Sequence, residues 1–328
     1  MTLFRLLLAS TTIASSAAHA DIDMLMQSQG AEINRAPTIG VAAKFSSGAY
    51  NDKELVGLQY SPLRDQKGFK GREELVNTGY EVASFHAKIS ERKSAPAGIV
   101  AYKEVAGKAQ LTVAFHGSEA TEDFTQANLL FFKTQNPALG IGGKVHTGFN
   151  SRYMQSREAM MDLIKDTLGR HGKSAKDVEI VVTGHSLGGA LATLAAADIK
   201  TNLADAENLK LVTFSSPRVV SHAGAESIEK AIGKGRIVRI WRDGDIVPSA
   251  LLGAFGYKHV GTSVKLESKT GGKLSLVNHD LSSIVEDATS HTTVKPLAHE
   301  GYTTWLKRKI TSIPRAISNS FKNFFKRG

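Results

Sequence analysis

The sequence predicts an α/β protein in which a mostly parallel central sheet carries helices on both faces within a single domain. Three observations support this fold class. Strand-like and helix-like segments alternate through the middle of the chain, as they do in parallel sheets. A Gly-x-Ser-x-Gly motif stands directly between a strand pattern and a helix pattern. The length of 328 residues, with 41% hydrophobic residues, suits one large domain or two modest ones.

The N-terminal half of the predicted domain begins with a helix and two strands. Hydrophobic residues recur every three or four positions over residues 73–89, which predicts a helix whose inward face holds Leu75, Val82, Phe85 and Ile89. Residues 98–102 and 111–115 predict two strands joined by a turn at 106–108. A second amphipathic helix is predicted over residues 151–168, with Tyr153, Met160, Ile164 and Leu168 inward.

Strand patterns dominate the C-terminal half. Short apolar and β-branched runs predict buried strands at 178–183, 209–214 and 236–241. A late β-hairpin is predicted from residues 257–266, the pair Gly271-Gly272 and residues 273–277. These strands, with helix patterns between them, complete the predicted sheet.

The Gly-x-Ser-x-Gly motif predicts a nucleophilic serine. The run at 178–183 leads into Gly184, the serine is Ser186, and Gly188 opens a pattern rich in Ala and Leu. Such a turn is so tight that the flanking positions must lack side chains, and it exposes the serine hydroxyl at the N-terminus of the next helix. The backbone amides and the helix dipole favour negative charge there.

The acid of a catalytic group is predicted downstream of this serine. A serine nucleophile needs a histidine to accept its proton and a carboxylate to orient that histidine. In this type of fold the acid and then the histidine follow the serine along the chain. Asp243 precedes a glycine and is typical of a turn, whereas Asp245 precedes an apolar pair and a proline. We therefore predict Asp245 as the acid.

Four histidines follow this acid and compete for the role of the base. His259 lies in a strand-like run, which is typical of a buried hydrogen-bonding residue. His279 and His291 lie in polar, loop-like stretches where solvent exposure is expected. His299 precedes a helix-like segment at 302–309, from which it could reach the active edge of the sheet. The residue pattern ranks His299 first and leaves the others open.

The tetrahedral intermediate of acyl transfer needs two hydrogen-bond donors for its oxyanion. One predicted donor is the backbone amide of Leu187, which follows the nucleophile. The other should follow an earlier strand, and the strand at 111–115 ends in His116-Gly117-Ser118. The backbone amide of Ser118 is the predicted second donor, with an ordinary polar turn as the alternative.

A set of motifs in a fixed order resembles the class 3 lipases, the fungal-type triacylglycerol lipases with their bacterial relatives. The matching segments are residues 113–118, 145–149, 183–189, 213–219, 245–248 and 299–302. The resemblance implies a bacterial secreted member with the α/β-hydrolase fold. The catalytic residues that it implies are Ser186 as nucleophile, Asp245 as acid, His299 as base, and Ser118 and Leu187 as oxyanion donors.

Two positions depart from the family's pattern. The family usually has Arg before the Gly-Ser of the oxyanion turn, where this chain has His116. It also has Trp early in its lid, where this chain offers Phe124. Residues 119–143 would form the lid and the segment after it, and the apolar residues at 129–132 belong either to a flap that opens at a lipid surface or to the core. We assign Phe131 and Phe132 to the core and leave Phe124 open.

The first residues differ in kind from the rest of the chain. A basic start at Met1 to Arg5, a mildly apolar run and Ala18-His19-Ala20 predict a secretory signal peptide at residues 1–20, and hence a secreted or periplasmic protein. A membrane anchor is the alternative, but the run is too short and too rich in Ser and Thr to span a bilayer. The absence of cysteine excludes disulfides, a lipoprotein anchor and thiolate metal sites.

The formal net charge of +10 is concentrated at the C-terminal end. Residues 301–328 contain no acidic residue and seven basic ones: Lys307, Arg308, Lys309, Arg315, Lys322, Lys326 and Arg327. Hydrophobic residues recur there every three or four positions, so residues 307–328 predict a basic amphipathic tail that contacts an anionic membrane peripherally. A solvated or packed terminal helix is the alternative, and no nucleic-acid binding is expected.

These features predict a secreted serine hydrolase of lipid carboxylic esters, either a triacylglycerol lipase or a phospholipase A1. Its lipase-like domain would span residues 21–306, and its chemistry needs no cofactor and no metal. One alternative is a membrane-binding or membrane-disrupting protein that acts through the tail. Another is a soluble esterase without activation at an interface. The sequence does not determine the oligomeric state.

Overall fold

The computed structural model describes residues 42, 45, 46, 72–117, 132–249 and 251–289. The predicted signal peptide at 1–20 and the basic tail at 307–328 lie outside these residues. Both therefore stay predictions.

The described residues alternate between strands and helices along most of their length. The α-helices are α1 (Arg72–Asn77), α2 (Thr147–Arg170), α3 (Leu187–Asn202), α4 (His222–Ile232) and α5 (Leu281–Thr289). The strands are β1 (Glu81–Ser90), β2 (Lys93–Val105), β3 (Lys108–Phe115), β4 (Lys133–Gln135), β5 (Lys144–His146), β6 (Val178–His185), β7 (Leu209–Phe214), β8 (Val220–Ser221), β9 (Ile237–Arg242), β10 (Tyr257–Lys258) and β11 (Thr262–Leu266).

Seven strands form the central sheet in the order β1-β2-β3-β6-β7-β9-β11. Strands β3, β6, β7, β9 and β11 pair in parallel, whereas β1, β2 and β3 pair antiparallel. A second, antiparallel sheet has the order β10-β8-β5-β4. The mostly parallel sheet predicted from the sequence is confirmed, and the carboxyl ends of its parallel strands meet at one edge, where loops can build a site.

Helices cover both faces of this sheet, as predicted. The main core cluster packs α2, α3 and α4 against one face. A smaller cluster on the other face contains Phe45 and Leu75, with Leu75 supplied by α1. The four inward positions predicted for the second helix, Tyr153, Met160, Ile164 and Leu168, are all buried in α2.

The predicted turn between the first two strands is confirmed. Strand β2 runs into β3 through Ala106 and Gly107, with Val105 and Lys108 paired in register on either side. Both turn residues have positive φ, 50° at Ala106 and 76° at Gly107. This backbone matches the two-residue hairpin turn whose twist suits neighbouring antiparallel strands.

The helix predicted over residues 73–89 is wrong beyond its first turns. Helix α1 ends at Asn77, Gly79 adopts φ 87°, and the chain continues as β1. A spacing of three places Val82 and Phe85 on opposite faces of a strand, and they join different core clusters. Because both faces of β1 are covered, the burial pattern imitated a helical period. Ile89, predicted inward, is exposed.

The late hairpin is also wrong. Strand β11 pairs in parallel with β9, and β10 belongs to the second sheet. Residues 273–277 do not form a strand, and their only ladder contact in the described part of the chain is an isolated bridge between Asp245 and Ser275. Gly261, with φ 81°, turns the chain between β10 and β11 against Ile237. This change brings residues 267–280 to the edge of the sheet.

A buried carboxylate joins the two long helices. Asp198 of α3 is fully buried and accepts a hydrogen bond of 2.5 Å from the hydroxyl of Tyr153. Arg157 donates to both of its carboxylate oxygens, at 2.6 and 3.0 Å, and Asn202 donates at 2.6 Å. Burial raises the pKa of Tyr153 well above its usual range, and the charge of Asp198 acts in the same direction. The charge is thus matched on every side.

We expect Asp198→Ala to lower the free energy of unfolding by about 3 kcal/mol or more, because it leaves buried donors without an acceptor. Urea denaturation followed by circular dichroism measures the change. Asp166→Ala is a matched control on α2, since Asp166 is exposed and forms an i,i+4 pair with Arg170. It should cost less than about 1 kcal/mol. Equal losses in the two variants would contradict the role given to the buried network.

Candidate active site

The Gly-x-Ser-x-Gly segment forms the predicted strand, turn and helix. Strand β6 ends at His185, Ser186 adopts φ 58° and ψ −125°, and α3 begins at Leu187. A side chain on Gly184 would place its Cβ 2.3 Å from the Gly188 carbonyl carbon. Non-glycine residues with such backbone angles carry strain of about 1–3 kcal/mol, which the surrounding structure must hold in place. The sharp turn therefore holds Ser186 in a fixed, strained conformation.

A histidine and an aspartate form a hydrogen-bonded chain with this serine. The Ser186 hydroxyl donates to Nε2 of His279 over 2.8 Å. On the other side of the ring, Nδ1–H of His279 donates to both carboxylate oxygens of Asp245, each at 3.0 Å. Asp245 is fully buried, and the His279 side chain is 15% exposed. This is the geometry of a nucleophile, a base and an orienting acid.

Asp245 lies just beyond the carboxyl end of β9. One of its carboxylate oxygens also accepts the backbone N–H of Val247 over 3.0 Å. Its neighbour Asp243 lies in the turn with Gly244, which has φ 80°. The structure thus brings the predicted acid to the serine and puts the competing aspartate in a turn, as the sequence analysis expected.

The histidine beside Ser186 is not the one that the sequence ranked first. His279 occupies the position between Ser186 and Asp245, so the ranking of His299 requires correction. His299 and His291 lie outside the described residues. His259 is a hydrogen-bonding residue, as expected, because its Nε2 contacts the Pro248 carbonyl at 3.1 Å. Burial lowers the pKa of His259 well below its usual range.

The loop that carries His279 is held by buried polar side chains. Arg242 donates to the Glu267 carbonyl at 2.8 Å and to the Ser283 carbonyl at 2.8 Å, and so joins the two ends of the loop to β9. Inside the loop, the buried Asn278 accepts the Lys269 N–H at 2.9 Å and donates to other loop atoms. These contacts replace the ladder hydrogen bonds that a hairpin would have supplied.

His185, the residue before the serine, also positions His279. Its Nε2 lies 2.9 Å from the backbone carbonyl of His279, and the two rings lie 4.6 Å apart between centroids. Burial lowers the pKa of His185 well below its usual range, and the neighbouring His279 acts in the same direction. A neutral His185 ring with its proton on Nε2 donates to that carbonyl. Sequence reasoning missed this role.

The predicted oxyanion donors fall on both sides of the boundary of the described residues. Leu187 is the first residue of α3, where a backbone N–H has no acceptor within the helix. Ser118 lies outside the described residues, but His116 and Gly117 lie inside them. A Cβ on Gly188 would approach the Phe115 carbonyl oxygen to 2.5 Å and the His116 carbonyl oxygen to 2.8 Å. The end of β3 therefore packs directly against the serine turn.

The predicted lid lies almost entirely outside the described residues, including Phe124 and Phe131. Phe132 is described, and its assignment to the core is wrong because its side chain is 71% exposed. Its backbone carbonyl accepts hydrogen bonds from the Thr147 N–H and the Tyr257 hydroxyl. The backbone is thus anchored at this point while the ring faces outward.

Two further properties of the described residues bear on the chemistry. No group of three or more His, Cys, Asp or Glu side chains among them is arranged to hold a metal ion. None of their helices combines the length and the apolar character that a bilayer crossing requires.

Comparison with known proteins points to one family. Residues 112–254 match the family model described as lipase (class 3), which supports that family for this segment. The secreted mono- and diacylglycerol lipase LIP4 of Malassezia restricta is 33% identical over 154 residues, which is 45% of this chain and 49% of that protein. The chloroplastic phospholipase A(1) DAD1 of Arabidopsis thaliana is 34% identical over 108 residues, covering 32% of this chain and 24% of that protein. The chain therefore spans about half the length or less of these relatives.

A solved structure supports the fold. The triacylglyceride lipase of Rhizomucor miehei aligns with a TM-score of 0.55 and 24% identity, covering 70% of this chain and 79% of that chain. This likeness, with the mostly parallel sheet, shows the α/β-hydrolase fold.

Proposed function

We propose that this chain is a serine hydrolase that cleaves carboxylic esters of lipids. The observation that carries the proposal is the hydrogen-bonded chain from Ser186 through His279 to Asp245. The matched family and the names of the relatives support lipid esters as the substrate class. The relatives found are fungal and plant proteins, so a bacterial origin stays a prediction.

The proposed reaction proceeds in two halves. The Ser186 oxygen attacks the ester carbonyl carbon as His279 Nε2 takes the hydroxyl proton, and the buried Asp245 stabilises the resulting imidazolium. The amide of Leu187 and that of Ser118 would donate to the oxyanion. The intermediate collapses as His279 gives its proton to the leaving alcohol. A water molecule then attacks the acyl-serine, passes a proton through His279 back to the serine oxygen, and releases the fatty acid.

The ends of the chain place this chemistry in a proposed setting. Cleavage after residue 20 would deliver a secreted or periplasmic enzyme. The seven basic residues between 301 and 328 would bring it to an anionic membrane, since each contributes about 1 kcal/mol near such a surface. Removal of residues 307–328 should then slow hydrolysis of phosphatidylglycerol vesicles and leave hydrolysis of a soluble short-chain ester unchanged. Equal rates on the vesicles would remove the tail from the proposal.

Release of fatty acid from monoacylglycerol, triacylglycerol, phosphatidylglycerol and phosphatidylcholine tests the main proposal. We expect hydrolysis of at least one of these lipids by the full-length protein, and none above background by Ser186→Ala. The ranking of the four lipids separates a glyceride lipase from a phospholipase. Hydrolysis that is undiminished in Ser186→Ala, or no release from any lipid by a folded protein, contradicts the proposal. Vesicle leakage that persists in Ser186→Ala would favour the membrane-disrupting alternative.

A further inference from the structure

We propose that His116 is a positioning residue for the oxyanion site: its ring holds the peptide between residues 117 and 118 so that the amide of that peptide faces the serine turn. This inference rests on the proposed function, because an oxyanion site has meaning only for acyl transfer. It concerns the position at which the class 3 pattern has Arg and this chain has His.

Both ring nitrogens of His116 contact backbone carbonyl oxygens. Nδ1 lies 2.5 Å from the oxygen of Gly117, and Nε2 lies 2.5 Å from the oxygen of Pro96 on β2. A carbonyl oxygen only accepts hydrogen bonds, so each nitrogen must carry a hydrogen for both contacts to be favourable. The imidazolium form of His116 satisfies both contacts. In that form the ring presents two N–H donors at opposite edges, as a small planar cation.

The Gly117 contact controls a second group through covalent geometry. The Gly117 carbonyl belongs to the peptide that supplies the N–H of residue 118, and in a planar trans peptide these two bonds point in opposite directions. Fixing the oxygen therefore fixes the direction of that N–H. A donor held in place before the reaction stabilises developing charge without reorganisation. The predicted oxyanion donor is thereby oriented by the preceding side chain.

The other His116 contact connects this peptide to the sheet. Pro96 lies within β2, and the backbone N–H of His116 itself donates to the Ala97 carbonyl over 3.2 Å. The residue is thus attached to β2 through both its side chain and its backbone. The Gly188 position on the serine turn leaves no room between itself and the carbonyls of Phe115 and His116. The bridge therefore acts on a peptide that is already adjacent to the nucleophile.

The test compares His116→Arg with His116→Ala in steady-state hydrolysis of a soluble short-chain p-nitrophenyl ester. Arg is planar and carries several N–H donors, so it can bridge both carbonyls, whereas Ala carries none. We expect His116→Ala to lower kcat by about tenfold or more with KM little changed, because the loss falls on the transition state. His116→Arg should stay within about threefold of the wild-type kcat.

His86→Asn is the matched control, because His86 on β1 is the register partner of Pro96. It should leave kcat and KM at wild-type values, which excludes a general effect of changes beside Pro96. A wild-type kcat in His116→Ala would overturn the inference, and so would a low kcat in a His116→Arg variant with wild-type melting temperature. If His116→Ala does not fold, the His116→Arg result alone decides. Failure of the proposed function is distinct, since the wild-type protein would then hydrolyse no ester.

Discussion

Replacing His279 with alanine is expected to lower kcat for ester hydrolysis by about 10⁶-fold, the order of loss seen when a triad histidine is removed. The serine hydroxyl would lose the acceptor that lies 2.8 Å away. KM should change little, because the imidazole acts on the proton in flight and not on the bound ester. Single-turnover and steady-state assays with a p-nitrophenyl ester measure both quantities.

His299→Ala is the decisive partner of this variant. If His279 is the base, His299→Ala keeps a rate within about threefold of wild type, as substitutions away from the reacting groups usually do. The reverse result, with His279→Ala active and His299→Ala inactive, would restore the ranking made from the sequence. Circular dichroism of both variants shows whether either loss comes from unfolding.

Asp245→Asn is expected to lower kcat by about 10⁴-fold while the fold is retained. The carboxylate accepts the Nδ1–H of His279 with both oxygens and so leaves Nε2 free to accept the serine proton. An amide can donate to Nδ1 instead, which favours the tautomer with the hydrogen on Nε2 and removes the base. Titration of the rate against pH, with kcat and KM determined at each point, measures the effect.

Asp243→Asn provides the control for this second variant, because it makes the same chemical change two residues away in the adjacent turn. Its kcat should stay within about threefold of wild type. A comparable loss in both variants would show that the turn as a whole, and not the Asp245 carboxylate, is responsible.

The local parts of the site could be predicted from the sequence. Ser186 stands in a motif whose strand, turn and helix are contiguous in the chain, so the pattern contains all of its determinants. Asp245 follows β9 at once, and an apolar pair with a proline distinguished it from Asp243. Strands β3, β6 and β7 were likewise short β-branched runs, which the sequence marks clearly.

The base could not be predicted in the same way. His279 reaches Ser186 through a loop whose course depends on Arg242, Asn278 and other polar contacts between residues distant in sequence. No periodicity encodes such contacts. The glycine pair Gly271-Gly272 was interpreted as a hairpin turn, which would have placed His279 beyond a strand. The signal that was missed is the acid-to-histidine order itself, which His279 satisfies as well as His299 does.

The helix predicted over residues 73–89 failed for a different reason. Strand β1 is covered on both faces, and its register with β2 shifts between Phe85 and His86. A bulge of this kind interrupts the alternation of faces, so buried residues no longer recur at every second position. Tertiary packing, which the local pattern does not contain, produced a spacing typical of a helix.

The unequal construction of the three reacting groups has an evolutionary consequence. The nucleophile and the acid are attached to neighbouring strands of a rigid sheet, but the proton acceptor arrives on an irregular excursion beyond the last strand. Insertions and deletions in such excursions cost little free energy. Descendants of this scaffold can therefore recruit the acceptor from different points along the chain while the sheet stays unchanged, and a spacing rule carried from one branch to another will then select the wrong residue.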